Sequence, residues 1–73
     1  MTAEIWNEYS DFLESCEIGC WAEWEGRHVE RVNMAGGRFL LTDEQGDVCG
    51  LVYDVWKAMT FLKSGKIQPV EGD

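Results

Sequence analysis

Seventy-three residues make one domain, and a chain this short buries only about 60% of the surface its unfolded form exposes, which leaves a thin core and little room for a deep catalytic cleft. Fourteen acidic and six basic residues give a formal net charge of −8; residues 1–25 hold seven of the acids and no Lys or Arg, while residues 26–73 hold seven acids and six bases. Direct contact with a nucleic-acid backbone or an anionic membrane requires a basic patch and is disfavoured, whereas a basic partner is favoured.

Hydrophobic residues make up 45% of the chain, and Trp6, Trp21, Trp24 and Trp56 are among them. That is too apolar for a disordered acidic tail. No apolar run approaches the roughly 18 residues of a membrane span. The opening Met-Thr-Ala-Glu-Ile-Trp lacks the basic and apolar regions of a secretory signal. Three cysteines, an odd number without such a signal, point to reduced thiols in a soluble cytoplasmic protein.

In chain order, residues 3–16 read as an amphipathic helix capped by Thr2. At about 100° per residue Ile5, Tyr9, Phe12, Leu13 and Cys16 fall on one apolar arc, with Trp6 at its edge. Glu4, Glu8, Asp11 and Glu14 lie opposite, and Gly19 marks the exit. Residues 18–25 read as an aromatic-rich strand turning at Gly26 and returning through 29–34. The turn centres on Glu25-Gly26 or Gly26-Arg27, and this choice decides which side chains face the core. Ala35-Gly-Gly37 marks a second turn. Residues 38–42 and 47–53 flank Asp43-Glu-Gln-Gly46, the pattern of a four-residue hairpin loop. Asp54 is a natural N-cap for a last helix over 55–64, with Val55, Ala58, Met59 and Leu62 on one face and Gly65 as its stop. The rival reading extends the last strand through Trp56. The order helix, three or four strands, helix predicts an α+β fold, with an N-terminal amphipathic helix and a C-terminal helix packed on an antiparallel sheet. It occupies residues 1–66, and residues 67–73 form a loose tail.

Few side chains carry a chemical signature. Cys16, Cys20, His28 and Cys49 contain the donors of a Cys₃His zinc site, but only one pair is close in sequence and the second tight pair is missing. The helix arc also accounts for Cys16 as a small hydrophobe. His28, the only histidine, falls in a turn without a nearby serine, so a Cys-His nucleophile pair would have to form across the fold. Carboxylates on a solvated helix face lack the burial that a general acid needs. Asp43, Glu44 and Asp47 lack the full calcium-loop pattern, and Gly36-Gly37 lacks the Lys-Ser/Thr of a phosphate loop. No cofactor and no catalytic residue is expected.

The acidic residues and the tryptophans carry more. Ordinary soluble helices intersperse Lys at i, i+4, because like charges at that spacing repel by a few tenths of a kcal/mol. Twenty-five residues without one base imply that the charge is used. By alternation Trp21 and Trp24 face opposite sides of one strand, so at least one is available as an interface anchor. The expected partner-binding residues are Glu4, Glu8, Asp11, Glu14, Glu17, Trp21, Glu23, Trp24 and Glu25. They would form a rigid row of carboxylates able to occupy sites built for phosphates on a basic protein.

In size, charge and helix-sheet-helix plan the chain resembles the small acidic inhibitors that phages and mobile elements deploy against restriction or CRISPR nucleases. The likeness lies in those general properties and not in a motif. It implies a non-catalytic module that docks on a basic protein surface, such as the nucleic-acid-binding site of a nuclease complex. The alternatives are a small acidic subunit, adaptor or immunity-type partner unrelated to nucleic acid, and a small Cys/His metal-binding protein.

Overall fold

A computed structural model describes residues 1–66, and the tail expected over 67–73 lies outside the described residues. The elements run α1 (Ala3–Ser15), β1 (Trp21–Trp24), β2 (Arg27–Met34), β3 (Gly37–Thr42), β4 (Val48–Val52) and α2 (Val55–Ser64). The four strands form one antiparallel sheet in the order β1-β2-β3-β4, each joined to the next by a short turn. The fold is α+β, as the sequence pattern implies. None of the described helices is long and apolar enough to cross a membrane.

Both helix starts follow from their caps. The Thr2 hydroxyl accepts a 3.2 Å hydrogen bond from the Ile5 amide, and the Asp54 carboxylate accepts one of 3.0 Å from Trp56. Each satisfies an amide that the first helical turn leaves without a partner. Gly65 ends α2 in the left-handed region. The Asp54 cap also settles the end of β4. The strand stops at Val52, and Trp56 lies in the first turn of α2, so the strand does not run on through it.

The first hairpin is a two-residue turn. Trp24 pairs with Arg27, and Glu25 and Gly26 both have positive φ, at 51° and 87°. Glu25-Gly26 is therefore the turn centre. Two successive positive φ values match the strand twist that a tight hairpin needs, and Gly supplies one at no steric cost. The returning strand begins at Arg27, two residues earlier than the sequence pattern indicates. His28 consequently sits inside β2 and not in a turn. The β3–β4 loop is held by Asp43, whose carboxylate accepts from the Gln45 and Asp47 amides at 3.0 and 2.9 Å. It is a polar hairpin loop closed by an Asx turn.

Alternation divides the sheet into two faces. Ala22, Val29, Phe39, Leu41 and Val52 point to the side covered by the helices and are buried. There α2 contacts all four strands, while α1 packs on α2 and β1. Ala58, Met59, Phe61 and Leu62 of α2 are buried with them. Each fully buried Leu, Phe, Met or Val side chain contributes roughly 1.5–3 kcal/mol. From α1 only Leu13 is fully buried, with Trp6, Tyr9 and Cys16 packed around it. The expected arc is thus rotated: Trp6 and Leu13, about 20° apart on the helix, lie at its centre, and Phe12 is left 45% exposed.

The bulk of the buried polar chemistry belongs to Arg27. Its Nε donates to the Leu62 carbonyl at 2.8 Å and one terminal nitrogen donates to the Lys63 carbonyl at 3.2 Å. The other donates to Glu44 at 2.9 Å, and the nitrogen that meets Lys63 also donates to Glu25 at 3.4 Å. One guanidinium thus ties the first hairpin, the β3–β4 loop and the last turn of α2 together. A cation also complements the negative end of the helix dipole there.

The cysteines correct an expectation. Cys16 and Cys20 are joined in a disulfide, and only Cys49 is free among the described residues. Cys16 caps the end of α1 and Cys20 immediately precedes β1. A turn with a 3.1 Å bond from the Cys20 amide to the Glu17 carbonyl, passing through Gly19 at φ 100°, reverses the chain between them. Their Cα atoms lie 6.2 Å apart, within bridging distance. An odd cysteine count carries no information about such a reversal. Gly19 belongs to this turn, four residues beyond the end of α1, and is not the helix exit itself.

Candidate partner-binding groove

The α1 helix lies along the β1 edge of the sheet, and this packing builds a groove. Glu8, Tyr9 and Phe12 line one wall and Trp21, Ala22 and Glu23 the other, around a volume of about 390 Å³. Ala22 lies among the buried core residues, while Phe12 and Trp21 stand half exposed at its rim. The helix places Glu8 and Phe12 one turn apart on the same side. On β1, alternation turns Trp21 and Glu23 away from the core while Ala22 points into it.

Three of the nine expected residues meet here: Glu8, Trp21 and Glu23. Glu4, Asp11 and Glu14 are exposed along α1, and Glu17 is exposed in the turn after it; all four lie outside the groove lining. Glu25 is exposed at the hairpin tip, where it faces Arg27. Trp24 is half-buried on the helix side, its ring edge-on to Tyr9 with centroids 6.0 Å apart. Trp21 and Trp24 do occupy opposite sides of β1, and of the two Trp21 is the exposed one, at 54%. The groove carries two carboxylates and no Lys or Arg.

Tyr9 and Phe12 join the groove although the sequence pattern placed them in the core. Phe12 stands on the far shoulder of the apolar arc from Trp6, the signal that could have marked it, whereas Tyr9 sits mid-arc and packs on the core as well as lining the groove. The tyrosine hydroxyl donates to the Glu23 carbonyl at 2.9 Å, fixing α1 to the edge of β1. The disulfide fixes the same two elements at the other end of the groove.

The remaining candidate chemistry is dispersed. The Cys16 and Cys20 sulfurs are bonded to each other and do not offer free thiolates to a metal. Among the described residues no three His, Cys, Asp or Glu side chains converge as metal ligands. The His28 ring lies 5.0 Å from that of Trp21 on the face of the sheet opposite the helices. Cys49 is exposed on β4, and its thiol donates weakly to the Asp47 carbonyl at 3.7 Å. Local desolvation at the sulfur, followed by the Asp43 and Asp47 carboxylates, pushes its pKa up. That is opposite to the shift that activates a nucleophilic cysteine.

No family model matches the chain, and no curated protein or solved structure matches it.

Proposed function

We propose that the protein is a non-catalytic module that docks on a basic protein surface through the α1–β1 groove, and that this surface is the nucleic-acid-binding site of a nuclease complex. The reading rests on one observation: an apolar groove rimmed by half-exposed Phe12 and Trp21 and flanked by Glu8 and Glu23, with no base in its lining. Aromatic side chains in a concave site supply desolvated anchor area, and carboxylates around it select Arg and Lys. Glu4, Asp11, Glu14 and Glu17 extend the negative field along α1 and speed encounter. In this mode the module acts as an inhibitor of the kind its size and charge resemble. It works in the cytoplasm.

The test is competition on purified restriction and CRISPR nucleases, read as DNA binding and as cleavage. The wild-type protein should displace DNA, with a potency that falls steeply as salt rises. Replacing Glu8 and Glu23 together with Gln should slow association, and Trp21→Ala should speed dissociation. A nuclease that binds the protein yet keeps its DNA affinity would remove the inhibitor reading and leave an acidic subunit or adaptor. Binding that survives about 1 M salt unchanged would remove the basic surface itself.

A further inference from the structure

The hydrogen bonds of the first hairpin fix which backbone groups β1 turns outward. Trp24 faces Arg27 across a two-residue turn, and toward the other end the Arg31 amide donates to the Cys20 carbonyl at 2.8 Å. Bonded pairs alternate along an antiparallel ladder. Ala22 and Trp24 therefore direct their amides and carbonyls to β2, and Trp21 and Glu23 direct theirs to the open side. The 2.9 Å bond from the Tyr9 hydroxyl reaches the Glu23 carbonyl on that side. β1 ends the strand order, and no described strand pairs with the Trp21 amide or carbonyl there. Trp21 and Glu23 both line the α1–β1 groove.

Resting on the docking reading above, we propose that the groove takes an extended basic segment of the partner, which adds antiparallel to β1 as a fifth strand of the sheet. An extended peptide adds to a sheet edge through main-chain bonds, and pockets for its alternate side chains supply selectivity. The partner residue opposite Trp21 accepts from the Trp21 amide and donates to the Trp21 carbonyl. Its side chain lies beside the indole, on the face of the sheet opposite the helices. The next side chain turns to the helix side, where Ala22 faces Tyr9 and Phe12. The Glu23 carbonyl keeps a second lone pair when Tyr9 holds the first, so the helix stays seated.

The surrounding side chains select the chemistry of that segment. Glu30 is the direct cross-strand neighbour of Trp21, Glu23 follows two residues along β1, and Glu8 stands across the groove. The His28 ring lies 5.0 Å from that of Trp21. The arginines of the sheet are turned elsewhere. Arg27 is held by Glu44 and by the end of α2, while Arg31 and Arg38 direct their guanidiniums at the Phe39 ring, 6.0 and 5.5 Å from its centre. Lys63 lies over Trp6, outside the groove. A Lys or Arg opposite Trp21 stacks on the indole and pairs diagonally with Glu23. The residue next to it meets Ala22, Tyr9 and Phe12 and is apolar. The segment thus alternates basic and apolar residues.

The probe is the capped peptide acetyl-Arg-Val-Arg-Val-Arg-amide, titrated into the isotope-labelled full chain and followed by NMR. Saturable binding with a Kd between roughly 10 µM and 1 mM is expected, since a short edge offers few bonds. The Trp21 amide proton should shift downfield and exchange more slowly with solvent. The Ala22 amide, already paired with Val29, should keep its exchange rate. N-methylation of the Arg amides, which face β1, should weaken binding at least about tenfold, whereas N-methylation of the outward Val amides should change it less than about threefold. Glu8→Gln combined with Glu23→Gln should weaken it about tenfold, and acetyl-Glu-Val-Glu-Val-Glu-amide should not bind. Failure to saturate by about 1 mM overturns the proposal. So does a Trp21 amide that stays unshifted, equal sensitivity to the two N-methylations, or equal binding of the Glu peptide. The peptide reads the strand mode without any nuclease. A protein that ignores the peptide yet displaces DNA from a nuclease removes the strand and leaves the docking reading. One that binds the peptide yet engages no nuclease keeps the strand and removes the nuclease.

Discussion

The hydroxyl of Tyr9, in the middle of α1, donates a 2.9 Å hydrogen bond to the backbone carbonyl of Glu23 on β1, fourteen residues away. It joins a helix to a strand edge and shapes the groove between them. Tyr9→Phe keeps the ring against Trp24 and deletes only that bond. The expected loss is about 1 kcal/mol, seen as a fall in Tm of roughly 4–8 °C. A Tm unchanged within error would mean that ring packing alone seats α1.

Arg27 and Glu44 make the shortest ion pair among the described residues, at 2.9 Å, yet the carboxylate should matter little. Glu44 is half exposed, and exposed pairs contribute less than about 1 kcal/mol. The buried half of Arg27 is different. Arg27→Met leaves the Leu62 and Lys63 carbonyls without their donor and should cost about 3 kcal/mol. Urea unfolding of Arg27→Met and Glu44→Gln side by side should therefore separate by a wide margin. Equal losses would show that the guanidinium acts through Glu44.

Reduction of the Cys16–Cys20 bridge should lower stability without unfolding the protein. The five-residue loop it closes, residues 16–20, corresponds to about 2 kcal/mol of lost unfolded-state entropy, or a Tm roughly 10 °C lower. Calorimetry with and without a dithiol measures this, and Cys16→Ser with Cys20→Ser should reproduce the reduced value. If the double variant matches the oxidised protein, the bridge contributes nothing.

Cys49 is exposed and should nevertheless react slowly with alkylating reagents. Its pKa is raised, through desolvation and the Asp43 and Asp47 carboxylates, so the thiolate fraction at a given pH is lower than for an ordinary cysteine. The rate against pH should have its inflection shifted upward relative to a model thiol. Asp43→Asn should move it back down, although it also loosens the loop that Asp43 caps. An inflection at or below that of the model thiol would contradict the assigned cause.

The periodic features were readable in advance. Thr2, Asp54 and Gly65 bound their helices because each carries its own local reason to start or stop one. Val55, Ala58, Met59 and Leu62 share a buried face because a 3.6-residue period admits no other arrangement. Trp21 and Trp24 divide across β1 for the equally local reason of strand alternation. Contacts between elements were not readable in this way. The rotation of α1 depends on α2, which takes Trp6 and Leu13 toward the core and leaves Phe12 at the rim. His28 and Arg27 looked like turn residues because hairpin length is set by paired strands.

The sequence by itself determines the concentration of negative charge in residues 1–25, the order of elements and the apolar faces, since these depend on residue type and spacing along the chain. Only the tertiary structure decides which acids meet an apolar surface. It brings Glu8 and Glu23 to one groove with Trp21, sends Glu25 to Arg27, and pairs Cys16 with Cys20. These are proximities between elements, fixed by how each helix rolls on the sheet and by the chain reversals between elements. Spacing along a single helix or strand does not encode that roll.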